Sequence, residues 1–195
     1  MARSIGHDPE VVRDGLLSAF LHGGFDGTSF SDLETATGLD RGQLSRMYGS
    51  KRDLFLIALR RTVAQQHEEW FRPVAEQGGI REIRELLLSI AGIQAVDGGP
   101  IDGCLVCNTC REPIATNDPE VKRLIHLHFA SVEKTFSSAL KRSVAHGELS
   151  LDKADVRKSA RMFYGVTVGL LVLVRAGEAP STLRDIAQRA VASIS

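Results

Sequence analysis

The chain carries no net charge, since 24 Lys and Arg offset 24 Asp and Glu across 195 residues. A nucleic-acid reading therefore has to rest on local pattern, not on global basicity. Cysteine is scarce: Cys104, Cys107 and Cys110 are the whole set. An odd, clustered set of thiols excludes a secreted disulfide framework. No apolar run is of membrane length. The longest, residues 163–174, is interrupted by two Gly and a Thr, whereas a bilayer span needs about 20 residues. Residues 1–7 hold no apolar signal core, so the sequence predicts a cytoplasmic protein. Sustained period-two alternation and Asn-Gly hairpin signals are missing, which argues against strands. There is no repeat or low-complexity tract. There is no Gly-rich phosphate loop, no Ser-His-Asp arrangement and no His-Glu-x-x-His, so neither an enzyme nor a cofactor is expected.

What is present is helical punctuation. Hydrophobic residues make up 43% and charged residues 25%, enough to bury a core without cross-links. Asp8-Pro9-Glu10 opens a first helix with a cap, a proline at the first position and an acid at the positive end of the dipole. Val12, Leu16, Ala19 and Phe20 give it one apolar stripe, and Gly23-Gly24 is expected to stop it. Ser29, Asp40 and Ser50 then each stand three residues before a capping partner, at Asp32, Gln43 and Asp53. They start a second helix ended by Gly38, a short third helix over about 41–48, and a fourth with an apolar stripe through Leu54, Phe55, Ala58, Leu59, Val63 and Trp70 to Pro73. Further helices are expected at about 80–96 and 103–115, then from Asn117-Asp118-Pro119-Glu120 to about 145, and over 153–176 and 182–194, with a loop at Asp97-Gly98-Gly99-Pro100. The fold class is all-α with about nine helices.

The second helix, the turn Thr37-Gly38-Leu39 and the short third helix have a helix-turn-helix layout, in which a Gly in the turn lets two helices meet steeply. The third helix could then enter a major groove. The run Gly24-Phe25-Asp26-Gly27-Thr28-Ser29-Phe30-Ser31-Asp32-Leu33, then Thr37 to Leu44, then Tyr48-Gly49-Ser50-Lys51-Arg52-Asp53-Leu54-Phe55, resembles the DNA-binding domain of TetR/AcrR-type transcriptional regulators without a gap over about 11–59. The resemblance implies a three-helix DNA-binding domain over 1–50 and a helical ligand-binding and dimerisation domain over 51–195. It implies DNA contact at Thr28, Arg41, Gly42, Gln43, Ser45, Arg46, Tyr48 and Lys51, with Thr28 and Lys51 on phosphates and Arg41, Gln43 and Arg46 near bases. Arg can bond guanine, and Gln adenine, in bidentate fashion. Gly42 costs about 1 kcal/mol inside a helix relative to Ala, and close approach to DNA would explain it. Four positions depart from the family pattern: Leu33-Glu34 for Ile-Ala, Ser45 for Tyr, and Tyr48 for Phe. Residues 1–60 hold seven Lys or Arg against eight Asp or Glu. Without the resemblance, the same pattern also fits a helical bundle whose short helix merely packs.

In the C-terminal part, residues 163–174 are apolar on nearly all faces, as in a central or interface helix. In the family the last two helices, here about 153–176 and 182–194, form a four-helix dimer interface. That implies a homodimer on a palindromic operator of double-stranded DNA. Gly103-Cys104-Leu105 followed by Asn108-Thr109 and Asp118-Pro119-Glu120 resembles one C-terminal subgroup of the family. A pocket for a small-molecule effector is expected there, with Trp70, Phe71, Cys107, Phe129, Phe163 and Tyr164 as lining. The three cysteines leave three readings open: small packing residues, a thiol or electrophile sensor favoured by a helix N-terminus at Cys104, or metal binding with His126 or His128. A regular helix supplies poor zinc geometry, and no metal site is expected. The function expected is a repressor released from its operator by an effector. The alternatives are a thiol-based redox or electrophile-responsive regulator using Cys104, Cys107 and Cys110, and a helical ligand-binding protein without DNA binding.

Overall fold

A computed structural model describes residues 8–93 and 103–194. It is helical throughout, with no strand among the described residues. The helices are α1 (Pro9–Gly27), α2 (Phe30–Thr37), α3 (Arg41–Tyr48), α4 (Lys51–Gln66), α5 (Arg72–Glu76), α6 (Ile80–Ala91), α7 (Leu105–Thr109), α8 (Ile114–Asn117), α9 (Pro119–Ala145), α10 (Lys153–Arg175) and α11 (Pro180–Ala192). A π-helical turn, His67–Phe71, joins α4 to α5.

The caps act as their spacing requires. Ser29, Asp40 and Ser50 accept from the backbone N–H groups of Asp32, Gln43 and Asp53 at 3.2, 2.7 and 3.3 Å. The three partner side chains return the bond to the cap's own N–H at 2.7, 3.0 and 2.9 Å. Each cap contributes about 1 kcal/mol and fixes where its helix starts. Gly38 takes φ 71°, ψ 8° and donates its N–H to Glu34 O, closing α2 so that α3 can leave at a steep angle. Val12, Leu16, Phe20, Leu33, Leu39 and Leu44 are buried, and Phe55 of α4 completes this head with its ring 5.1 Å from those of both Phe20 and Phe25. Gly15 is where α1 and α2 touch at the backbone. A Cβ there would lie 2.3 Å from Ala36 O, so only glycine fits.

The remaining helices form the second body. The long α9 and α10 pack together, and α6 and α11 cover them. Phe136 and Phe163 meet at 6.1 Å in its interior, with Leu87, Leu140, Leu170 and Leu183 buried around them.

Three expected elements differ. The first helix does not end at Gly23-Gly24; it breaks there, at a non-helical Gly24 (φ 69°, ψ −176°), and turns once more to Gly27. The fourth helical run does not end at Pro73: the π-turn absorbs an extra residue, so Pro73 sits in the first turn of α5, where a missing N–H costs nothing. The single helix expected over 103–115 is two short ones, because Pro113 disfavours helical geometry at Glu112. The expected helix 80–96 is observed to Ala91; residues 94–96 and the loop at 97–100 lie outside the described residues.

Candidate DNA-reading head and C-terminal pocket

On α3, Leu44 is buried and Tyr48 half-buried, which turns Gly42, Ser45, Arg46 and Met47 outward, all exposed. Gln43 is half-buried, and its side-chain oxygen is engaged by Asp40 N–H. Arg41 lays its guanidinium 4.5 Å from the Phe30 ring centre, and its N–H donates to Glu34 Oε1 at 2.6 Å. Glu34, one of the departures from the family pattern, thus satisfies a first-turn donor of α3. Thr28 is 2% exposed and its hydroxyl donates to Gly24 O at 2.6 Å, so that oxygen is engaged inside the turn. Lys51 Nζ reaches Asp26 O at 3.4 Å and lies 5.0 Å from the Phe25 ring centre. Asp32 and Asp53 are held below the usual carboxylate range, chiefly by side-chain hydrogen bonds from Ser29 and Ser50.

Polar contacts join the head to the second body. The Glu112 carboxylate accepts from the backbone N–H of Phe25 at 2.6 Å and of Asp26 at 3.3 Å. Arg52 forks onto Asp118, with Nη2 3.0 Å from Oδ1, and reaches Glu120 at 3.3 Å, where Arg60 also pairs. Asp118 is pulled down to about 2, first by Arg52 and then by the N–H groups of Val121 and Glu120 that it caps. The Arg52 pKa is raised in turn, mainly by Asp118.

The cysteines do not share one helix. Cys104 is the extended N-cap of α7, Cys107 lies within it and Cys110 is its C-cap. Cys104 is buried, Cys107 half-buried and Cys110 exposed. The Gln66 amide donates to Cys104 Sγ at 2.9 Å. Cys104 is lowered below an ordinary thiol, first by the Cys107 thiol donating to it, then by α7 backbone N–H groups and Gln66; Cys107, as the donor, is raised. Among the described residues no group of three or more His, Cys, Asp or Glu is placed to hold a metal. A pocket of about 160 Å³ lies between α4, the π-turn and α9.

No family model matches the chain. Over 187 residues, 95% of each chain, it is 27% identical to an uncharacterised HTH-type transcriptional regulator, YezE, of Bacillus subtilis (strain 168). The TetR-family regulator CifR, solved as a cysteine mutant complexed with 26 bp double-strand operator DNA, superposes with a TM-score of 0.83 at 23% identity, covering 100% of both chains. The chain has the all-helical fold of the TetR-family helix-turn-helix transcriptional regulators. Escherichia coli NemR in its reduced form superposes with a TM-score of 0.74 at 18% identity over 93% of this chain and 94% of that one.

Against this TetR frame, the expected DNA-facing residues divide. Gly42, Ser45 and Arg46 share the outward face of α3, while Thr28, Gln43 and Tyr48 are wholly or partly engaged within the head. Met47, 52% exposed beside Arg46, was not singled out by sequence, because an apolar residue in a short helix reads as core. Of the six expected lining residues, Phe71 alone lines the pocket. Phe163 is wholly buried core, and Trp70 and Cys107 are half-buried against that core. Phe129 and Tyr164 face each other at 5.2 Å. His128, weighed only as a metal ligand, lines the pocket, and His126 is exposed. No described helix is long and apolar enough to cross a membrane.

Proposed function

We propose that the chain is a cytoplasmic repressor that holds a palindromic operator as a homodimer and is released by a small-molecule effector. The observation that carries this reading is the capped α2–α3–α4 unit, which presents Gly42, Ser45 and Arg46 on one exposed face with Lys51 beside it. Residues 1–50 act as the reading unit, with Arg46 and Arg41 near bases and Lys51 on phosphate. Residues 51–195 sense and dimerise. The dimer face is the last two helices, about 153–176 and 182–194. Val172 is 52% exposed there, and a Cβ at Gly165 or Gly169 would meet nothing within 4 Å. Repression is by competition: an effector shifts α4 against α9, and the seam through Glu112 and Arg52 passes that shift to the head. Release requires that the effector favour one of the two states. The test is a gel shift with the DNA upstream of the coding gene. A specific, salt-sensitive band that footprints as two symmetric half-sites is expected; no specific band at low salt overturns the reading.

A thiol-based alternative has its own support. Cys104 receives several hydrogen-bond donors at an α7 N-terminus, against Gln66 at the end of α4. CifR crystallised on DNA as a cysteine mutant, and NemR was solved in a reduced form. On this reading, oxidation or alkylation involving Cys104, Cys107 or Cys110 releases DNA. Cys104→Ser should then keep DNA affinity while peroxide and electrophiles no longer release it. A variant still released like the wild type would remove the thiol reading.

A further inference from the structure

The π-turn at His67–Phe71 interrupts the helical run that begins beside the recognition helix, and it does so at the wall of a pocket that both α4 and α9 line. Such single-turn bulges gather at functional sites because the extra residue stores an alternative register. Val63 approaches the pocket from α4, Phe71 from the π-turn, and Leu124 and Val132 from α9. No Asp, Glu, Lys or Arg lines it.

Its polar edge is the exposed His67 and the buried His128, with Ser131 and Thr135 alongside. His128 is 9% exposed, and burial holds it neutral at pH 7 by lowering it to about 4. Its ring lies 6.2 Å from Phe71 and 5.7 Å from Phe129, and it makes no hydrogen bond to any described residue. Among the described residues no buried side-chain nitrogen lacks a partner, so the unbonded His128 nitrogens keep some exposure, on a ring that lines the pocket. A neutral imidazole there offers one donor and one acceptor. A cavity of about 150 Å³ with apolar walls takes a benzene-sized molecule.

The geometry points to this pocket as the effector site, taking a neutral molecule of about one ring with a single hydroxyl or carbonyl that pairs with His128, and acting through the π-turn. The inference rests on the repressor reading for its consequence, but not for the binding itself. Occupancy against Phe71 biases the register of the bulge. One residue of register is about 1.5 Å along the helix and 100° around it, and α4 delivers that change to the head.

The probes are phenol, toluene and benzoate, titrated by calorimetry into full-length protein, followed by phenol added to the protein–operator complex. Phenol and toluene should bind saturably and benzoate should not, because no Lys or Arg faces its charge and the buried His128 is neutral. His128→Phe keeps the ring and removes the hydrogen bond, so it should weaken phenol roughly tenfold and leave toluene unchanged. Val132→Phe fills the pocket and should abolish both. Phenol should lower operator affinity in the wild type and not in Val132→Phe. Absence of saturable binding, benzoate binding as well as phenol, or unchanged phenol affinity in His128→Phe overturns the site whatever the DNA does. Selective binding that leaves the operator complex intact overturns the action through the π-turn. A protein that binds phenol with this selectivity but never binds DNA supports the site and removes the repressor reading instead.

Discussion

Replacing Glu112 with alanine should unfasten the turn between α1 and α2 from the second body. The carboxylate accepts from Phe25 N–H at 2.6 Å and Asp26 N–H at 3.3 Å, across 87 and 86 positions of sequence. Hydrogen bonds to a charged acceptor contribute about 1.5–3 kcal/mol, and the longer, exposed one counts for little, so about 2 kcal/mol is at stake. That corresponds to about 30-fold faster amide exchange at Phe25, measured by hydrogen exchange on the full chain. Glu112→Gln retains an acceptor oxygen and should recover part of the protection. The same turn supplies the carbonyls that hold Thr28 and Lys51. Operator affinity should therefore fall in Glu112→Ala, with a salt dependence shallower by about one phosphate contact per head. Exchange at Phe25 unchanged within about twofold would refute the reasoning, because 1.4 kcal/mol already means tenfold.

Other perturbations follow from the same contacts. Gly15→Ala drives a Cβ to 2.3 Å from Ala36 O and should cost about 1–3 kcal/mol in urea unfolding; a neutral result would mean α1 and α2 are not in backbone contact. Gly42→Ala meets only Asp40 Oδ1 at 3.1 Å, so the melting temperature should hold or rise while operator affinity drops at least about tenfold if DNA approaches that face; equal affinity would remove Gly42 from the interface. Asp118→Asn should destabilise at neutral pH. Because the folded Asp118 pKa is depressed to about 2, its contribution is complete above about pH 4 and is lost as pH falls through about 2. Urea midpoints of wild type and variant should differ at neutral pH and converge in acid; a constant gap would contradict the Arg52–Asp118 assignment.

The head was legible because its information is local. A serine or aspartate three residues before its partner needs no tertiary context to cap a helix, and Ser29, Asp40 and Ser50 do so. The long α9 and α10 were equally open to reading, since Asp118 and Asp152 cap them and their buried stripes repeat at helical period. The π-turn was not. It breaks no composition rule, and its register is set by packing against α9, so Pro73 read as a stop. The lining of the α4–α9 cavity was hidden for the same reason: aromatic residues identified a cluster, but which ones face this void depends on that register, and Phe71 does. Thr28 shows the converse limit, a polar residue whose hydroxyl turns inward onto Gly24 O. The Glu34 and Glu112 braces join residues distant in sequence or across a turn, and no spacing signals them.

The most direct test of the account is the affinity of the full-length, effector-free protein for its footprinted operator and for a scrambled duplex, by fluorescence anisotropy across a salt series. Two heads, each placing Lys51 on a phosphate and an α3 arginine in the groove, bring about four cations to the DNA and predict a log–log slope of about −4. The operator should be preferred by about a thousandfold or more. A weak slope with equal affinity for both duplexes would contradict the claim that this chain reads DNA sequence.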